Sequence, residues 1–202
     1  YFDIRKDSLY CDSARSTRRR AVRTILDEVF NRLTTWFAPI LAFTAEEVWL
    51  SRHGDDAESV HRQQWPETPA EWQNEALAEK WSKIRRLRRV VTGALELDRR
   101  EKRIGSSLHV TIYVADYAYV EAMAGLDIAE LMITSSARLL EADAPEGAFT
   151  LEDVKGIAVV TSAATGDKCE RCWVVSEEVT AHGELCNRCS DTVKMLDGGA
   201  AA

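Results

Sequence analysis

Four of the five cysteines form two closely spaced pairs near the end of the chain. Cys169 and Cys172 make one Cys-x-x-Cys pair, Cys186 and Cys189 make the other, and thirteen residues separate the pairs. Each pair can aim two thiolates at one ion, and two such knuckles supply the four sulfurs of a tetrahedral zinc site. Because four thiolates leave no open position for water, the pattern predicts one structural Zn²⁺ ion. The alternatives are a redox pair or two disulfides, and the absence of an export signal disfavours the disulfides.

The segment between the two cysteine pairs contains too few apolar side chains to form a core by itself. The candidates for such a core are Trp173, Val174, Val175, Val179 and Leu185. Metal binding would add folding free energy on the order of 10 kcal/mol, which is enough to fold a module of this size.

An aromatic residue and three cations surround these cysteines. Trp173 directly follows Cys172, and Lys168, Arg171 and Arg188 lie beside the cysteines in sequence. An exposed aromatic ring among cations is suited to stacking on an unpaired RNA base, so these four residues are candidate RNA contacts. The alternative is that Trp173 packs into the core of its own module.

A second candidate for RNA binding is a basic segment in the middle of the chain. The net charge is −7, yet residues 80–103 carry ten basic and three acidic residues. Such a segment could follow a phosphate backbone, with Lys83, Arg86 and Arg89 as candidate contacts. The alternative is a solvated helix face that pairs with the acidic segment 40–79, which has nine acidic and two basic residues.

The sequence indicates no catalytic site. It contains no phosphate-binding Gly-rich loop and no His-Glu-x-x-His motif, and its histidines are isolated from any nucleophile. No apolar run reaches the roughly 18 residues that a membrane-spanning helix needs, so we expect no membrane association. Cysteine pairs of the metal-binding type without an export signal predict a reducing compartment and hence a cytoplasmic location. The chain lacks an initiator Met, and we expect it to be a fragment or a processed chain.

Hydrophobic spacing predicts helices in the first half of the chain. An apolar stripe follows Ser16 and ends near Pro39, and a second begins near Asn74 and continues through the basic segment. Between them, Thr44 and Glu47 have the spacing of a capping box that would start a shorter helix. Together these segments predict a mostly α fold, with an antiparallel helical bundle over residues 1–103.

The pattern changes after residue 103. Alternating β-branched residues predict a strand over Leu108–Ala115, followed by a helical pair over 117–132 and strands over 137–140 and 156–162. We therefore predict a small α+β domain over residues 104–165, a zinc knuckle over 166–197 and a disordered tail over 198–202.

Several of these segments together resemble a known family. Residues 1–10, the segment Trp-Phe-Ala-Pro-Ile-Leu-Ala-Phe-Thr-Ala-Glu-Glu-Val-Trp at 36–49, and Ser-Val-His at 59–61 ahead of Trp-Pro at 65–66 resemble the anticodon-binding helical domain of class I aminoacyl-tRNA synthetases. The segment Ile-Gly-Ser-Ser-Leu at 104–108 and the terminal cysteine knuckle narrow the resemblance to the C-terminal end of the bacterial isoleucyl enzymes. The resemblance covers nearly the whole chain.

This resemblance implies that the helical bundle recognises the anticodon loop of isoleucine tRNA while the zinc module closes over that loop. It carries the zinc ligands onto Cys169, Cys172, Cys186 and Cys189 and supports an RNA role for Trp173. The family's ATP-binding signatures, His-Ile-Gly-His and Lys-Met-Ser-Lys-Ser, are absent from this sequence. The resemblance therefore implies a part that binds tRNA within a monomeric, ATP-dependent ligase. The rival interpretations are the valyl enzyme, or a zinc knuckle that docks a partner protein.

Overall fold

The computed structural model describes residues 1–101, 108–182 and 184–199. The predicted Ile-Gly-Ser-Ser motif at 104–107 and the last two cations of the basic segment lie outside the described residues. The helices, in chain order, are α1 (Phe2–Cys11), α2 (Thr17–Phe37), α3 (Ala42–His53), α4 (Glu75–Arg100), α5 (Tyr117–Met123), α6 (Ile128–Met132), α7 (Glu177–His182) and α8 (Asn187–Gly199). The strands are β1 (Leu108–Val114), β2 (Ser136–Glu141), β3 (Phe149–Leu151), β4 (Val154–Ala163), β5 (Asp167–Lys168) and β6 (Val175–Ser176).

The chain divides into two compact units. The first contains residues 1–13 and the chain from residue 74 onward, and the second contains residues 14–73. The predicted division placed residues 1–103 in one helical domain, whereas the compact units group α1 and α4 with the sheet. The reason for α4 is its apolar stripe, which is buried in the same core as the strands. None of the helices in the described ranges is long and apolar enough to cross a membrane.

The second unit consists of α2, α3 and two short 3-10 turns. Ser16 caps α2, since its hydroxyl oxygen accepts a hydrogen bond from the backbone N–H of Arg19. The predicted capping box of α3 is wrong, because α3 begins at Ala42 and Thr44 lies inside it. The carboxylate of Glu46 instead accepts hydrogen bonds from the hydroxyl of Ser59 and the backbone N–H of Val60, which fixes the segment that follows α3.

The first unit is built from α4 packed on a four-stranded sheet. Asn74 caps α4 by accepting a hydrogen bond from the Leu77 backbone N–H at 2.9 Å. The sheet has the order β2-β1-β4-β3, in which β1 is parallel to β2 and antiparallel to β4. Gly93 allows α4 to approach β3 closely, since a Cβ there would lie 2.9 Å from the Phe149 ring. The fully buried core side chains include Leu87, Val90, Val91, Val110 and Ile112.

The predicted α+β segment is confirmed in its main elements. Strands occur at all three predicted positions, and the helical pair breaks where Gly125 interrupts it. No sequence pattern indicated β3, which has only three residues. The described chain is mostly helical, with a four-stranded sheet, a two-stranded ribbon of β5 and β6, and a cysteine cluster.

Candidate metal centre and nucleic-acid interface

The structure brings the four paired cysteines to one point. Their Sγ atoms all lie within 4.8 Å of one another, and those of Cys172 and Cys186 are 3.7 Å apart. Four sulfurs at about 2.3 Å from a zinc ion would be separated by about 3.8 Å, so the cluster fits a tetrahedral Zn²⁺ site. All five cysteines are free thiols, as a metal site requires and a pair of disulfides does not.

A tight turn carries the first cysteine pair. Lys168 pairs with Val175 across the two-stranded ribbon of β5 and β6, and the backbone N–H of Trp173 donates to the Cys169 carbonyl at 2.9 Å. Trp173 itself has a positive φ of 66°, which turns the chain back toward the ribbon. At the entry to β5, Gly166 has a φ of 102°, and a Cβ there would lie 2.3 Å from the backbone carbon of Ser176. The ribbon therefore requires glycine at this position.

The four thiols differ in how readily they ionise. Burial raises the pKa of Cys172, Cys186 and Cys189. Burial also acts to raise the pKa of Cys169, but backbone N–H groups donate to its sulfur and together lower that pKa to about 6. One of these donors is the backbone N–H of Cys186, at 3.4 Å. The backbone is thus arranged to stabilise a thiolate at the centre of the cluster.

The fifth cysteine is a neighbour of the cluster and belongs to α1. Cys11 is buried and packs with the four paired cysteines and Val179. Its thiol donates to the Arg171 carbonyl at 3.7 Å, and burial raises the pKa of Cys11 to about 12. Cys11 therefore serves as a neutral apolar side chain in this small core.

Trp173 is exposed on the surface of the cysteine module. Its side chain is 66% exposed and is absent from the module's apolar cluster, so the alternative that it fills this core does not match the structure. The Lys168 ammonium lies 5.0 Å from the centre of the Trp173 ring. An aromatic face and a cation are thus presented together to solvent.

Arg171 and Arg188 contact α1. The Arg171 guanidinium donates to the backbone carbonyls of Tyr10 and Cys11. Arg188 forms a two-point ion pair with Asp7, and this hydrogen bonding raises the pKa of the guanidinium above its usual value. No local pattern could predict these contacts, because more than 150 residues separate the partners.

The candidate residues on α4 have different surroundings. Lys83 forms an ion pair with Glu79 on the same helix at 3.6 Å, and Arg89 pairs with Asp153 at 2.6 Å. Arg86 lines a shallow pocket with Tyr119, Asp153 and Lys155. The ion pairs of Lys83 and Arg89 are largely exposed, so they contribute little stability.

Comparison with known proteins adds two family matches. Residues 1–114 match a family model described as the anticodon-binding domain of tRNA ligase. Residues 166–192 match a zinc finger found in FPG and IleRS. The second match and the cysteine cluster together support one structural zinc ion in this module.

The chain is also similar to curated proteins named isoleucine–tRNA ligase. It is 54% identical over 187 residues to the protein from Brucella abortus biovar 1 (strain 9-941), which covers 92% of this chain and 19% of the relative. It is 50% identical over 181 residues to the Agrobacterium fabrum protein and 52% identical over 184 residues to the Mesorhizobium japonicum protein, each covering 89% of this chain. The chain spans about a fifth of the length of these relatives.

The helices α1 to α4 all lie within the region that matches the anticodon-binding model, and that region covers more than half of the sequence. This chain therefore belongs to the family of anticodon-binding domains of tRNA ligases.

Proposed function

We propose that this chain is the tRNA-binding C-terminal region of an isoleucine–tRNA ligase, the enzyme that attaches isoleucine to its tRNA with ATP. The observation that carries the proposal is the exposed Trp173 ring beside Lys168, on a zinc module that follows an anticodon-binding region. The catalytic step is assigned to other parts of the ligase, since this sequence holds no residues for it.

In this proposal one Zn²⁺ ion is held by the four paired cysteines, Cys169, Cys172, Cys186 and Cys189. The bound ion would make the module rigid. Trp173 stacks on an unpaired base of the anticodon loop, and Lys168 contributes positive charge beside the same ring. The module is thus the part of the chain that contacts bases.

The phosphate backbone is assigned to α4. Lys83, Arg86 and Arg89 are on this basic helix, and their positive charges suit the phosphates that flank the loop. Such contacts are independent of sequence, so they add affinity and leave the choice of anticodon to the module.

The domain organisation, oligomeric state and location that we propose are those implied by the resemblance to isoleucyl enzymes. Residues 1–103 supply the helices of the anticodon-binding domain, residues 104–165 form a junction domain, and the parent enzyme is a cytoplasmic monomer. A reducing compartment agrees with five free thiols.

The first test is the loss of the aromatic ring. We expect Trp173→Ala to weaken binding of isoleucine tRNA about tenfold, because stacking of one base on an aromatic ring is worth about 1–3 kcal/mol. Zinc content should stay at one ion per chain, since Trp173 contributes no ligand.

Tyr117→Ala is the matched control, because Tyr117 is an aromatic residue that is 61% exposed but lies outside both the anticodon-binding match and the zinc-finger match. Equal losses in the two variants would overturn the role assigned to Trp173. A chain that binds tRNA weakly, with little dependence on salt, would overturn the whole proposal and favour a protein-docking module.

A further inference from the structure

Two arginines connect the cysteine module to α1, although α1 lies at the opposite end of the sequence. From these contacts we infer that Arg171 and Arg188 are positioning residues, which hold the module on the C-terminal end of α1 and thereby set the position of Trp173. The inference rests on the proposed function for its consequence in tRNA binding, while the attachment itself can be tested without tRNA.

Arg171 completes the end of α1. The last carbonyls of a helix lack partners within the helix and carry partial negative charge. The last turn of α1 contains no basic residue of its own. The Arg171 Nη1 lies 2.6 Å from the Cys11 carbonyl oxygen and its Nη2 lies 3.0 Å from that of Tyr10, so a cation from the module takes this place.

Arg188 makes the second attachment, one turn of α1 further back. Its guanidinium forms a two-point ion pair with Asp7, in which Nη2 lies 2.9 Å from Oδ1. Its Nη1 also lies 3.3 Å from a carboxylate oxygen of Asp12, which is buried just after α1. Two-point pairs between arginine and carboxylate fix orientation as well as distance, and partial burial protects them from screening by salt.

Both arginines are adjacent in sequence to the residues of the module that they would position. Arg171 directly precedes Cys172 and lies two residues before Trp173, and Arg188 directly precedes Cys189. Each cysteine pair is therefore tied to α1 by one arginine. The module cannot move away from α1 without breaking both sets of contacts.

The helix α1 and the ribbon are in turn attached to the same neighbouring element. Arg5 of α1 forms an ion pair with Glu130 of α6 at 2.8 Å. The Ser135 hydroxyl, in the loop after α6, accepts a hydrogen bond from the backbone N–H of Val175 at 3.0 Å. The arginines thus close a ring of contacts through α1, α6 and the ribbon, which gives Trp173 a defined place.

The test separates a positioning role from a direct contact with RNA. We expect Arg188→Ala to keep one zinc ion per chain and to lower affinity for isoleucine tRNA about tenfold, as loss of the stacked base would. In a Trp173→Ala background the same change should have little further effect. The control is Lys194→Ala, which removes one positive charge from the same module, where Lys194 forms an ion pair with Asp191 of α8 at 3.7 Å.

An exchanged pair provides the rescue. Asp7→Arg combined with Arg188→Asp keeps an ion pair between α1 and the module, and we expect it to restore most of the affinity. An effect of Arg188→Ala that adds fully to that of Trp173→Ala, with no rescue by the exchanged pair, would overturn the inference and indicate direct contact with RNA.

Amide hydrogen exchange in α1 supplies the readout without tRNA. Arg188→Ala should increase exchange over residues 2–11, and the exchanged pair should reverse that increase. Unchanged exchange would overturn the attachment itself. If the attachment is present but the unmodified chain does not bind tRNA, then the proposed function fails and the inference on attachment stands.

Discussion

The α/β core and the cysteine module belong to the same compact unit, yet they are stabilised in different ways. The core buries a continuous set of aliphatic side chains from α4 and the sheet, among them Leu87 and Ile112, which are fully buried. In the module, Val179 and Leu185 are the aliphatic residues packed against the cysteine cluster.

The cysteine module, unlike the α/β core, depends on more than its own apolar residues for stability. The core gains its stability from burial, which needs no ligand. The module needs a metal ion and the contacts with α1, and it is the region that presents Trp173 to solvent. The proposed recognition surface is thus on the region whose folding depends on the metal ion.

The largest effect is expected from the loss of one zinc ligand. We expect Cys186→Ser to abolish zinc binding and to unfold the module, since the metal supplies folding free energy on the order of 10 kcal/mol. Hydrogen exchange should become fast over residues 168–199 and stay slow in β1. A zinc-free variant that keeps its protection in the module would contradict the account.

The reverse experiment truncates the core. Leu87→Ala should lower the free energy of unfolding by about 2–5 kcal/mol, because it leaves a cavity among fully buried side chains. Denaturant unfolding measures this loss, and zinc content should remain one ion per chain. Loss of zinc under native conditions would show that the two regions are not independently stabilised.

A substitution in the ribbon tests the module without touching a ligand. Gly166→Ala should weaken zinc binding, because the new Cβ would collide with the backbone at Ser176 as well as strain the positive φ. Gly147→Ala is the control: Gly147 also has a positive φ, of 82°, but a Cβ there has open space. Strain from the positive φ alone costs about 1–2 kcal/mol. Zinc affinity, measured by competition with a chromophoric chelator, should therefore fall more in Gly166→Ala than in Gly147→Ala. Equal zinc affinities in the two variants would contradict the close approach.

The smallest expected effect is at the start of α4. Asn74→Ala should lower stability by about 1 kcal/mol, since it removes the acceptor for the Leu77 backbone N–H. Thermal unfolding measures this change, and zinc affinity should be unaffected. A loss several times larger would indicate that Asn74 has a role beyond the cap.

The sequence predicted the elements whose signals are local. The apolar spacing of α4 and the alternation in β1 predicted both elements well, because each buries one regular face. The capping box at Thr44 was wrong, because the same Thr and Glu types also occur inside helices. The cysteine spacing predicted the cluster, but nothing local could indicate that Arg171 and Arg188 bind α1, since such contacts depend on the tertiary fold.

The most direct test of the central claim is a titration of the zinc-loaded and zinc-stripped chain with isoleucine tRNA and with a version whose anticodon is exchanged. We expect the zinc-loaded chain to prefer the tRNA with the native anticodon. The stripped chain should bind both tRNAs equally, with an affinity that falls steeply as salt increases, because only phosphate contacts remain. A stripped chain that keeps the full preference would contradict the claim that the zinc module recognises the anticodon.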